Sequence, residues 1–305
     1  MKIAVSYSGG KESALALHKA IEQGYEPILL ITMYNNETKR SYSHGIDERM
    51  LEEISECLDI PLLVVKTGDE RYAWDFENAL QKAKAMGAEA CVFGDVDIKG
   101  HKAWCSERCE SAGVKPVFPL WGKPRKEVVY ECIDSGFTAN ITTINTKYLS
   151  EDFLGSVLSR QVALDIENQG IDICGENGEY HTFVSDGSIF KKPIQFSFGE
   201  KIVNGDYTML PIRAFLRNSH KFFNNSACKY FPCHKFEAED DLTVAGEFNC
   251  MFCFCPLYAA GDKCGGKFEY DERETKSCLD CEIPHKPDGY GIIISKLKEL
   301  RADKC

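Results

Sequence analysis

Residues that could bind phosphate lie next to the N-terminus, in the segment Ser6-Tyr7-Ser8-Gly9-Gly10-Lys11-Glu12-Ser13. Residues 2–5 before it are apolar and predict a buried strand, and residues 14–21 after it have the apolar spacing of a helix. Backbone N–H groups at the start of a helix, together with the helix dipole, attract an anion, and adjacent glycines let the backbone approach it. The sequence therefore predicts a phosphate-binding loop, to which two serine hydroxyls and the Lys11 ammonium add donors. A plain strand–turn–helix junction with a glycine turn and a serine cap is the alternative.

The loop has neither the Walker spacing nor the Gly-x-Gly-x-x-Gly spacing of dinucleotide-binding proteins. It resembles the Ser-Gly-Gly-x-Asp-Ser pyrophosphate loop of the N-type ATP pyrophosphatases. That resemblance implies that the loop holds the β- and γ-phosphates of ATP, which leave as pyrophosphate. The nucleotide-binding residues it implies are Ser6, Ser8, Gly9, Gly10, Lys11, Glu12 and Ser13. Glu12 stands where the superfamily usually has Asp, so its carboxylate reaches one methylene farther.

A second polar motif lies at residues 174–184, just before a predicted strand, and reads Cys174-Gly175-Glu176-Asn177-Gly178-Glu179-Tyr180-His181-Thr182-Phe183-Val184. Its glycines allow tight turns, and it has three side chains that can accept a proton within six residues. A hairpin turn decorated with polar side chains is the alternative interpretation of this motif on its own.

Taken together, the two motifs resemble the diphthine–ammonia ligase family over roughly residues 1–212. Further points of resemblance are His44-Gly45-Ile46, Val92-Phe93-Gly94-Asp95 with His101 and Trp104 after it, and Pro119-Leu120-Trp121. The resemblance implies an enzyme that adenylates a substrate carboxylate with ATP, releases pyrophosphate, and lets ammonia form an amide while AMP leaves. The substrate of the family is diphthine, a modified histidine on translation elongation factor 2, and the product is diphthamide.

The chemistry implied by the family assigns roles to the two motifs. Departure of pyrophosphate needs a magnesium ion and cationic or N–H groups, which the glycines, Lys11 and Ser13 provide. Ammonium must lose a proton before it can attack, and Glu176, Glu179 and His181 are the candidate acceptors. Glu179 and His181 are favoured because residues i and i+2 share one face of a strand. Asp95 follows a buried strand, which favours a magnesium or nucleotide role over that of a solvated loop acid.

The remaining pattern predicts how these residues are positioned. Short apolar strands at residues 2–5, 27–33, 61–65, 90–95 and 114–120 alternate with amphipathic helices, including residues 47–58 and 74–86. This α/β alternation predicts a parallel, Rossmann-like sheet with ligands at the carboxyl ends of its strands, and the resemblance implies the adenine nucleotide alpha hydrolase type. The predicted domains are an ATP-binding domain at 1–125, a substrate-binding subdomain at 126–212 and a cysteine-rich domain at 213–305. Residues 150–169 are predicted to form one long helix, with Ser150 as its N-cap and Gly170 ending it.

The cysteine-rich segment predicts a metal-binding domain. Eight of the 15 cysteines lie between residues 228 and 281, with two Cys-x2-Cys pairs, a spacing typical of zinc sites. The candidate ligands are Cys228, Cys233, Cys250, Cys253, Cys255, Cys264, Cys278, Cys281, His234 and His285, with His220 as a further imidazole. This set suffices for two four-coordinate zinc ions, and an iron–sulfur cluster is the competing interpretation. The segment also resembles a cysteine-rich small domain found attached to or near cobalamin-related proteins.

Composition narrows the choice of compartment and partner. The chain has 305 residues and a net charge of −11, and no basic stripe suited to nucleic acid. The sequence contains no run of about 18 apolar residues, so it predicts no membrane span. The N-terminus becomes polar too early for a signal peptide. We therefore expect a cytoplasmic protein that binds ATP and ammonium without direct nucleic-acid or membrane contact; the sequence leaves a homodimer open. Reduced thiols in that compartment argue against a disulfide framework.

Two alternatives to diphthine amidation remain at this point. A cobalamin-linked tail favours amidation of a corrinoid carboxylate, if the source is a bacterium. The other alternative is a non-catalytic ATP-sensing module with a zinc adaptor. A sensor, however, needs no proton acceptors like those of residues 176–181.

Overall fold

The computed structural model describes residues 1–42, 44–214, 222–225, 227–233 and 248–302. The chain divides into two compact units, Met1–Ala214 and Phe215–Cys305. No helix in these described ranges is long and apolar enough to cross a membrane.

The first unit begins with alternating strands and helices, as the sequence predicts. Its strands are β1 (Lys2–Ser6), β2 (Glu26–Asn35), β3 (Arg40–Ser41), β4 (Leu62–Thr67), β5 (Ala90–Val92) and β6 (Lys115–Val117). Its helices are α1 (Lys11–Glu22), α2 (Glu48–Leu58), α3 (Tyr72–Ala85), α4 (Lys99–Ala112) and α5 (Arg125–Asp134), with a 3₁₀ turn at Asp69–Arg71. The parallel strands lie in the order β4-β2-β1-β5-β6, and β3 adds an antiparallel pair at the end of β2.

The central strand β1 pairs in parallel with β2 on one side and β5 on the other. Ile3 and Val5 pack into the apolar core on one face of the sheet, and Ala4 packs into the core on the opposite face. Burial on both faces explains why β1 has no polar alternation. The carboxyl ends of β1 and β5 consequently meet at one edge, and the predicted parallel sheet is confirmed.

A second, antiparallel sheet completes this unit. It contains β7 (Thr138–Asn145), β8 (Tyr180–Asp186), β10 (Ile202–Asn204) and β11 (Tyr207–Met209) in the order β10-β11-β7-β8, while β9 (Phe196–Phe198) pairs with β12 (Ile212–Ala214). Strand β8 reaches the N-terminal loop: the Val184 N–H donates to the Gly9 carbonyl at 2.9 Å. The Thr182 hydroxyl accepts from the Lys11 N–H at 3.1 Å. The two sequence motifs therefore come together through strand β8.

The prediction of one helix over residues 150–169 is wrong. Ser150 caps only a 3₁₀ turn at Glu151–Phe153, and the helix α6 spans Arg160–Asn168 with Ser159 as its N-cap. Gly155 between them has φ of +79°, and the Leu158 N–H donates to the Ala139 carbonyl at 2.8 Å. A left-handed glycine and pairing with β7 override the helical apolar spacing of this segment.

The second unit has short strands and 3₁₀ turns, one longer helix and a small core in its described part. These elements are a 3₁₀ segment at Tyr258–Cys264, β13 (Glu269–Tyr270), β14 (Lys276–Ser277), a 3₁₀ turn at Ile283–His285 and α7 (Gly289–Ala302). Leu257, Cys264 and Ile293 are its clustered buried apolar residues. So small a core supplies little stability on its own.

Candidate active site

The two glycines of the N-terminal loop are required by close approaches. Gly9 has φ of +86°, and a Cβ on it would lie 2.6 Å from Cδ1 of Ile46. A Cβ on Gly10 would lie 2.3 Å from Cε1 of His44, whose imidazole covers the loop. Gly10 is the N-cap of α1 and has no side chain to cap the helix, and the first N–H, that of Lys11, donates to the Thr182 hydroxyl. The start of α1 is therefore a helix N-terminus that a bound anion can cap.

The loop serines form a connected chain beside this helix start. The Ser8 hydroxyl donates to the Ser13 hydroxyl at 3.1 Å and accepts from the Gly10 N–H at 3.3 Å. The Ser13 hydroxyl donates to the Gly10 carbonyl at 2.9 Å. Because hydroxyl groups rotate, both can turn toward phosphate oxygens without a change in the backbone.

Lys11 is buried where the loop meets the second motif. Its Nζ donates to the Cys174 carbonyl at 2.6 Å, pairs with the Glu12 carboxylate, and lies 4.7 Å from the centre of the Tyr180 ring. Burial alone lowers the pKa of Lys11, but Glu12, Tyr180 and Cys174 raise it well above its usual value. The ammonium is thus a fixed positive charge in the interior of the site.

Glu12, Cys174 and Glu176 face one another around this ammonium. Their ligand atoms all lie within 4.8 Å of one another, and no other acidic, histidine or cysteine trio among the described residues is so close. Burial and the Glu12 carboxylate raise the pKa of Glu176 to about 7. Glu176 is therefore a carboxyl group that can accept or release a proton near neutral pH.

Two neutral imidazoles lie on the other side of the loop. The His44 and His181 rings are 5.1 Å apart, and the carbonyl of Thr182 accepts from Nδ1 of His44 at 2.9 Å. Burial lowers the pKa of His44 to about 4 and that of His181 to about 3. Because a carbonyl can only accept, the His44 proton sits on Nδ1 and its Nε2 is left as an acceptor. His181 can orient a substrate, but it is a weak base in this setting.

A large cavity opens at the carboxyl edge of the parallel sheet. It has a volume of about 640 Å³, and its lining includes Ser6, Ser8, Thr32, Tyr72, Asp95 and Trp104. A second cavity of about 320 Å³ shares Ser6, Ser8 and Asp95 and extends to Lys11, Glu176 and His181. A ligand could therefore run from the sheet edge past the glycine loop to the second motif.

The two acids after β5 have different surroundings. Burial raises the pKa of Asp95, whose carboxylate lies 3.7 Å from Nδ1 of His101 and lines both cavities. The carboxylate of Asp97 instead accepts two hydrogen bonds from Arg125, at 2.7 and 2.8 Å. Of this pair, only Asp95 faces the cavity.

Arg125 and Asp172 are site residues that the sequence reasoning missed. The Asp172 carboxylate accepts from Arg125 at 2.5 Å, and also from the N–H groups of Cys174 and Glu176 at 3.0 and 3.2 Å. This carboxylate therefore fixes the turn that presents Glu176. Arg125 and Asp172 are 47 positions apart and belong to no motif, so no local pattern signals them. His44 and Thr182 also gained no role from the sequence, although both lie within stretches that resemble the family.

The Glu179 carboxylate is engaged within its own turn. It accepts from the Asn177 N–H at 3.0 Å and from the Asn177 side-chain amide at 3.1 Å, and it is buried. Glu179 also precedes β8, which begins at Tyr180, and it does not line the cavity that Glu176 and His181 line. Glu179 therefore does not line this cavity together with His181, and its role as a proton acceptor stays a prediction. The Asn177-Gly178 turn was the signal that could have revealed this.

The eight cysteines between residues 228 and 281 all lie among the described residues, and none of them forms a disulfide. His285 is buried, with its Nδ1 donating to the Asn249 carbonyl at 2.9 Å. The candidate ligand His234, like His220, lies outside the described residues.

An open helix start behind two glycines, facing a cavity at the carboxyl edge of a parallel sheet, defines a nucleotide-binding α/β protein of the pyrophosphate-loop class. Family models agree and narrow the class. Residues 1–116 match the diphthamide synthase N-terminal domain, residues 124–216 match the diphthamide synthase C-terminal domain, and residues 219–304 match a cysteine-rich small domain. The chain belongs to the diphthine–ammonia ligase family, with the cysteine-rich domain following the two synthase domains.

Two of the similar curated proteins are named diphthine–ammonia ligase. The diphthine–ammonia ligase of Schizosaccharomyces pombe is 25% identical over 242 residues, a match that covers 72% of this chain and 40% of that protein. The Homo sapiens diphthine–ammonia ligase is 24% identical over 243 residues, which is 71% of this chain and 90% of that protein. An uncharacterized protein of Methanocaldococcus jannaschii is 30% identical over 82 residues, which is 26% of this chain and 60% of that protein.

Proposed function

We propose that the protein is an ATP-dependent carboxylate–ammonia ligase that releases AMP and pyrophosphate. Its acceptor is diphthine on elongation factor 2, in line with the activity for which its relatives are named. The observation that carries the proposal is the contact between Lys11 Nζ and the Cys174 carbonyl. It joins the phosphate loop and the Glu176 turn in one site beside a cavity large enough for a nucleotide.

ATP fits the residues that line this site. The start of α1, the two glycines and the two serine hydroxyls suit the β- and γ-phosphates, and the cavity next to them suits the nucleoside. Magnesium prefers oxygen ligands and usually binds through one or two carboxylates plus phosphates. Asp95 would hold it, because its carboxylate lines the cavity and has no arginine partner like that of Asp97. Bound there, magnesium would neutralise charge on the departing pyrophosphate.

In the first step, an oxygen of the substrate carboxylate attacks the α-phosphorus of ATP, and the bond to the pyrophosphate oxygen breaks. The Lys11 ammonium stabilises the negative charge that builds on the leaving group. Its contacts with Glu12 and Cys174 hold it in position before the reaction, so little reorganisation is needed.

In the second step, ammonium gives a proton to Glu176 and the ammonia lone pair attacks the acyl carbon. The bond to AMP then breaks, and the nitrogen releases a second proton to solvent as the amide forms. Glu176 suits this role because its pKa is about 7, so a large fraction is ionised at neutral pH. Its turn is fixed by Asp172, which keeps the acceptor oxygen in place. The neutral His181 lines the same cavity and can orient the acyl group.

Each of the three predicted domains has its own role in this function. We propose that residues 1–125 bind ATP, that residues 126–212 carry the acceptor side of the site, and that residues 213–305 bind zinc. Zinc fits the donors, because eight soft thiol ligands occur in Cys-x2-Cys and related spacings and the described ones are not in disulfides. The corrinoid and sensor alternatives are not favoured by the relatives reported above, and a sensor would have no use for a carboxyl with a pKa near neutrality.

Product analysis tests the proposed reaction. The purified chain is incubated with ATP, magnesium, ¹⁵N-ammonium and elongation factor 2 that carries diphthine. We expect AMP and pyrophosphate in equal amounts and one ¹⁵N atom per modified factor. ADP and phosphate as products would overturn the adenylation step. Adenylation products without nitrogen transfer to the factor, but with transfer to a corrinoid acid, would overturn the acceptor alone.

A further inference from the structure

We propose that the second unit binds two zinc ions through two separate sets of four thiolates. Thiol set A consists of Cys228, Cys233, Cys250 and Cys253, and thiol set B consists of Cys255, Cys264, Cys278 and Cys281. The division cuts through the motif Cys250-x2-Cys253-x-Cys255, whose last cysteine belongs to a different set from the first two. Sequence spacing alone could not assign the ligands to sites, and this assignment does not depend on the ligase reaction.

Glycine 266 brings two thiols of set B together. A Cβ on Gly266 would lie 2.8 Å from Sγ of Cys281, which is too close, and at a contact distance of 3.8 Å from Sγ of Cys264. Both sulfurs therefore lie against Gly266, and glycine leaves room for that of Cys281. The Gly266 N–H also donates to Sγ of Cys264 at 3.4 Å. Backbone N–H groups that point at sulfur stabilise a thiolate. All four cysteines of set B line a single cavity of about 260 Å³, which Cys253 of set A and His285 also border.

A buried ammonium supports thiolate character in set B. Lys276 is 7% exposed, and its Nζ lies 3.0 Å from Sγ of Cys264 and 2.7 Å from the Gly261 carbonyl. It also lies 4.2 Å from the centre of the Phe268 ring. A zinc ion with four thiolates carries a net charge of −2, which is costly to bury without a compensating cation. Lys276 supplies that charge beside the site.

Backbone pairing brings the cysteines of set A together. The Cys250 N–H donates to the Phe223 carbonyl at 2.5 Å, and the Asn225 N–H donates to Sγ of Cys250 at 3.4 Å. The Cys228 N–H donates to the Asn225 carbonyl at 3.1 Å, which places the turn of Cys228 next to this pairing. Cys253 follows in the turn after Cys250.

Cys233 joins set A from the other side. Its Sγ lies 3.8 Å from Nε2 of His285, whose ring stacks on Phe248 at 4.4 Å and whose Nδ1 donates to the Asn249 carbonyl. His285 thereby ties Cys233 to the residue that precedes Cys250. We assign His285 as a neighbour of the Cys233 sulfur, with the four thiolates as the ligands.

The spacing of Cys250 and Cys253 supports their place in one set, because a Cys-x2-Cys pair closes on a single ion from one tight turn. In neither set are three ligand atoms all within 4.8 Å of one another, so zinc binding would draw the thiolates inward and should be coupled to compaction of the unit.

Two double variants in the motif Cys250-x2-Cys253-x-Cys255 test this assignment of ligands to two zinc sites. The full chain, purified without air, should contain about two zinc ions by elemental analysis. Cys250→Ser with Cys253→Ser removes two ligands of set A, so one zinc should remain after equilibration with a mild chelator. Cys253→Ser with Cys255→Ser removes one ligand from each set, so both zinc ions should be lost. The control Cys57→Ser, in the first unit, should keep two. Equal zinc content in the two double variants, or one zinc in the unmodified chain, would overturn the assignment.

Alkylation of the unmodified chain gives the same answer without relying on variants that fold. Zinc is removed in stages by a chelator, the freed thiols are labelled with iodoacetamide, and the labelled peptides are read by mass spectrometry. We expect the four cysteines of one set to become labelled together, before or after the four of the other. Labelling that mixes Cys253 with Cys255 in the same stage would contradict the division. If the purified chain is brown and contains iron and sulfide, it binds an iron–sulfur cluster instead of zinc, and the proposal is overturned.

Discussion

The Arg125 guanidinium donates to the Asp172 carboxylate at 2.5 Å, while its other N–H groups bind Asp97. Asp97 follows the same strand as Asp95, which lines the nucleotide cavity, and Asp172 accepts the N–H groups of the turn that presents Glu176. One side chain therefore connects the loop on the nucleotide side to the turn on the acceptor side. We infer that Arg125 is a positioning residue for the second step of the reaction.

Replacement of Arg125 should separate the two partial reactions. In Arg125→Ala the Asp172 carboxylate loses its cation and the Glu176 turn loses its fixed position, so amide formation should slow by roughly 10²-fold, the usual cost of misplacing a reacting group. ATP–pyrophosphate exchange should fall far less, because the glycine loop is untouched. Arg125→Lys should rescue little, since an ammonium cannot bind both carboxylates in a fork. Exchange and amide formation measured side by side check this, and an equal fall in both would assign Arg125 to stability.

Lys11→Ala should affect the first step. Removal of the buried ammonium takes away a preorganised charge next to the leaving pyrophosphate, so adenylation should slow by about 10²–10³-fold. It also leaves Glu12 without its cation, which should weaken the folded state. Lys11→Arg keeps the charge but has too little room, so it should restore stability more than rate. The exposed Lys82→Ala is the matched control and should leave both unchanged. A rate loss in Lys11→Ala below about threefold would rule out its role in pyrophosphate release.

Glu176 should give the reaction a pH dependence near neutrality. Burial and Glu12 raise its pKa to about 7, and the ionised form accepts the proton from ammonium, so amide formation should rise as pH rises through 7. In Glu176→Gln this rise in the rate around pH 7, the limb of the pH profile due to Glu176, should disappear. The gradual increase in rate that comes from free ammonia at higher pH should remain. Rates of ¹⁵N incorporation between pH 5.5 and about 8.5 measure the profile. A limb that persists in Glu176→Gln would assign the base to another group.

The same pKa shift has a consequence for stability. Because the pKa of Glu176 is higher in the folded state than in the unfolded chain, the folded state is most favoured where Glu176 is protonated. Stability should therefore decline as pH rises from about 4.5 to about 7. Glu176→Gln removes the cost of ionising this buried carboxyl, so it should raise the melting temperature at pH 8 relative to the unmodified chain. The variant should at the same time lose activity.

Glu179→Gln is the matched comparison for Glu176→Gln, since it makes the same chemical change three residues away. Glu179 holds the Asn177 turn through two hydrogen bonds, and Gln can keep only part of that set. We expect a stability loss of about 1 kcal/mol, a similar small fall in both partial reactions, and no change in the pH limb. Loss of the limb in Glu179→Gln alone would return the role of proton acceptor to Glu179.

Local features of the site were predictable from the sequence, and contacts made at long range were not. The strand–loop–helix at residues 2–22 follows from apolar spacing and two glycines that are adjacent in the chain, so the loop and the parallel sheet could be predicted. The hydrogen bonds that hold the Glu179 carboxylate could not be predicted from strand alternation, because they depend on the tight turn of Asn177 before β8. The prediction of one helix over residues 150–169 was wrong because the left-handed Gly155 and the pairing with β7 outweigh the helical spacing of apolar residues. The contacts of Arg125 with Asp172 and of Cys233 with His285 depend on chain paths that no local pattern encodes.

The contact between Gly10 and His44 can be tested by a rescue experiment. Gly10 has φ of −86° and ψ of 170°, which alanine adopts without strain, so the obstacle to Gly10→Ala is the His44 ring 2.3 Å from the new Cβ. We expect Gly10→Ala to destabilise the protein by roughly 1–3 kcal/mol through overpacking. Addition of His44→Ala should recover most of that loss, measured as thermal unfolding of the two single variants and the double variant. Gly100→Ala, in helix α4 with nothing within 4 Å of its new Cβ, should instead gain about 0.5–1 kcal/mol. If the double variant is no more stable than Gly10→Ala alone, the His44 ring is not what requires glycine at this position.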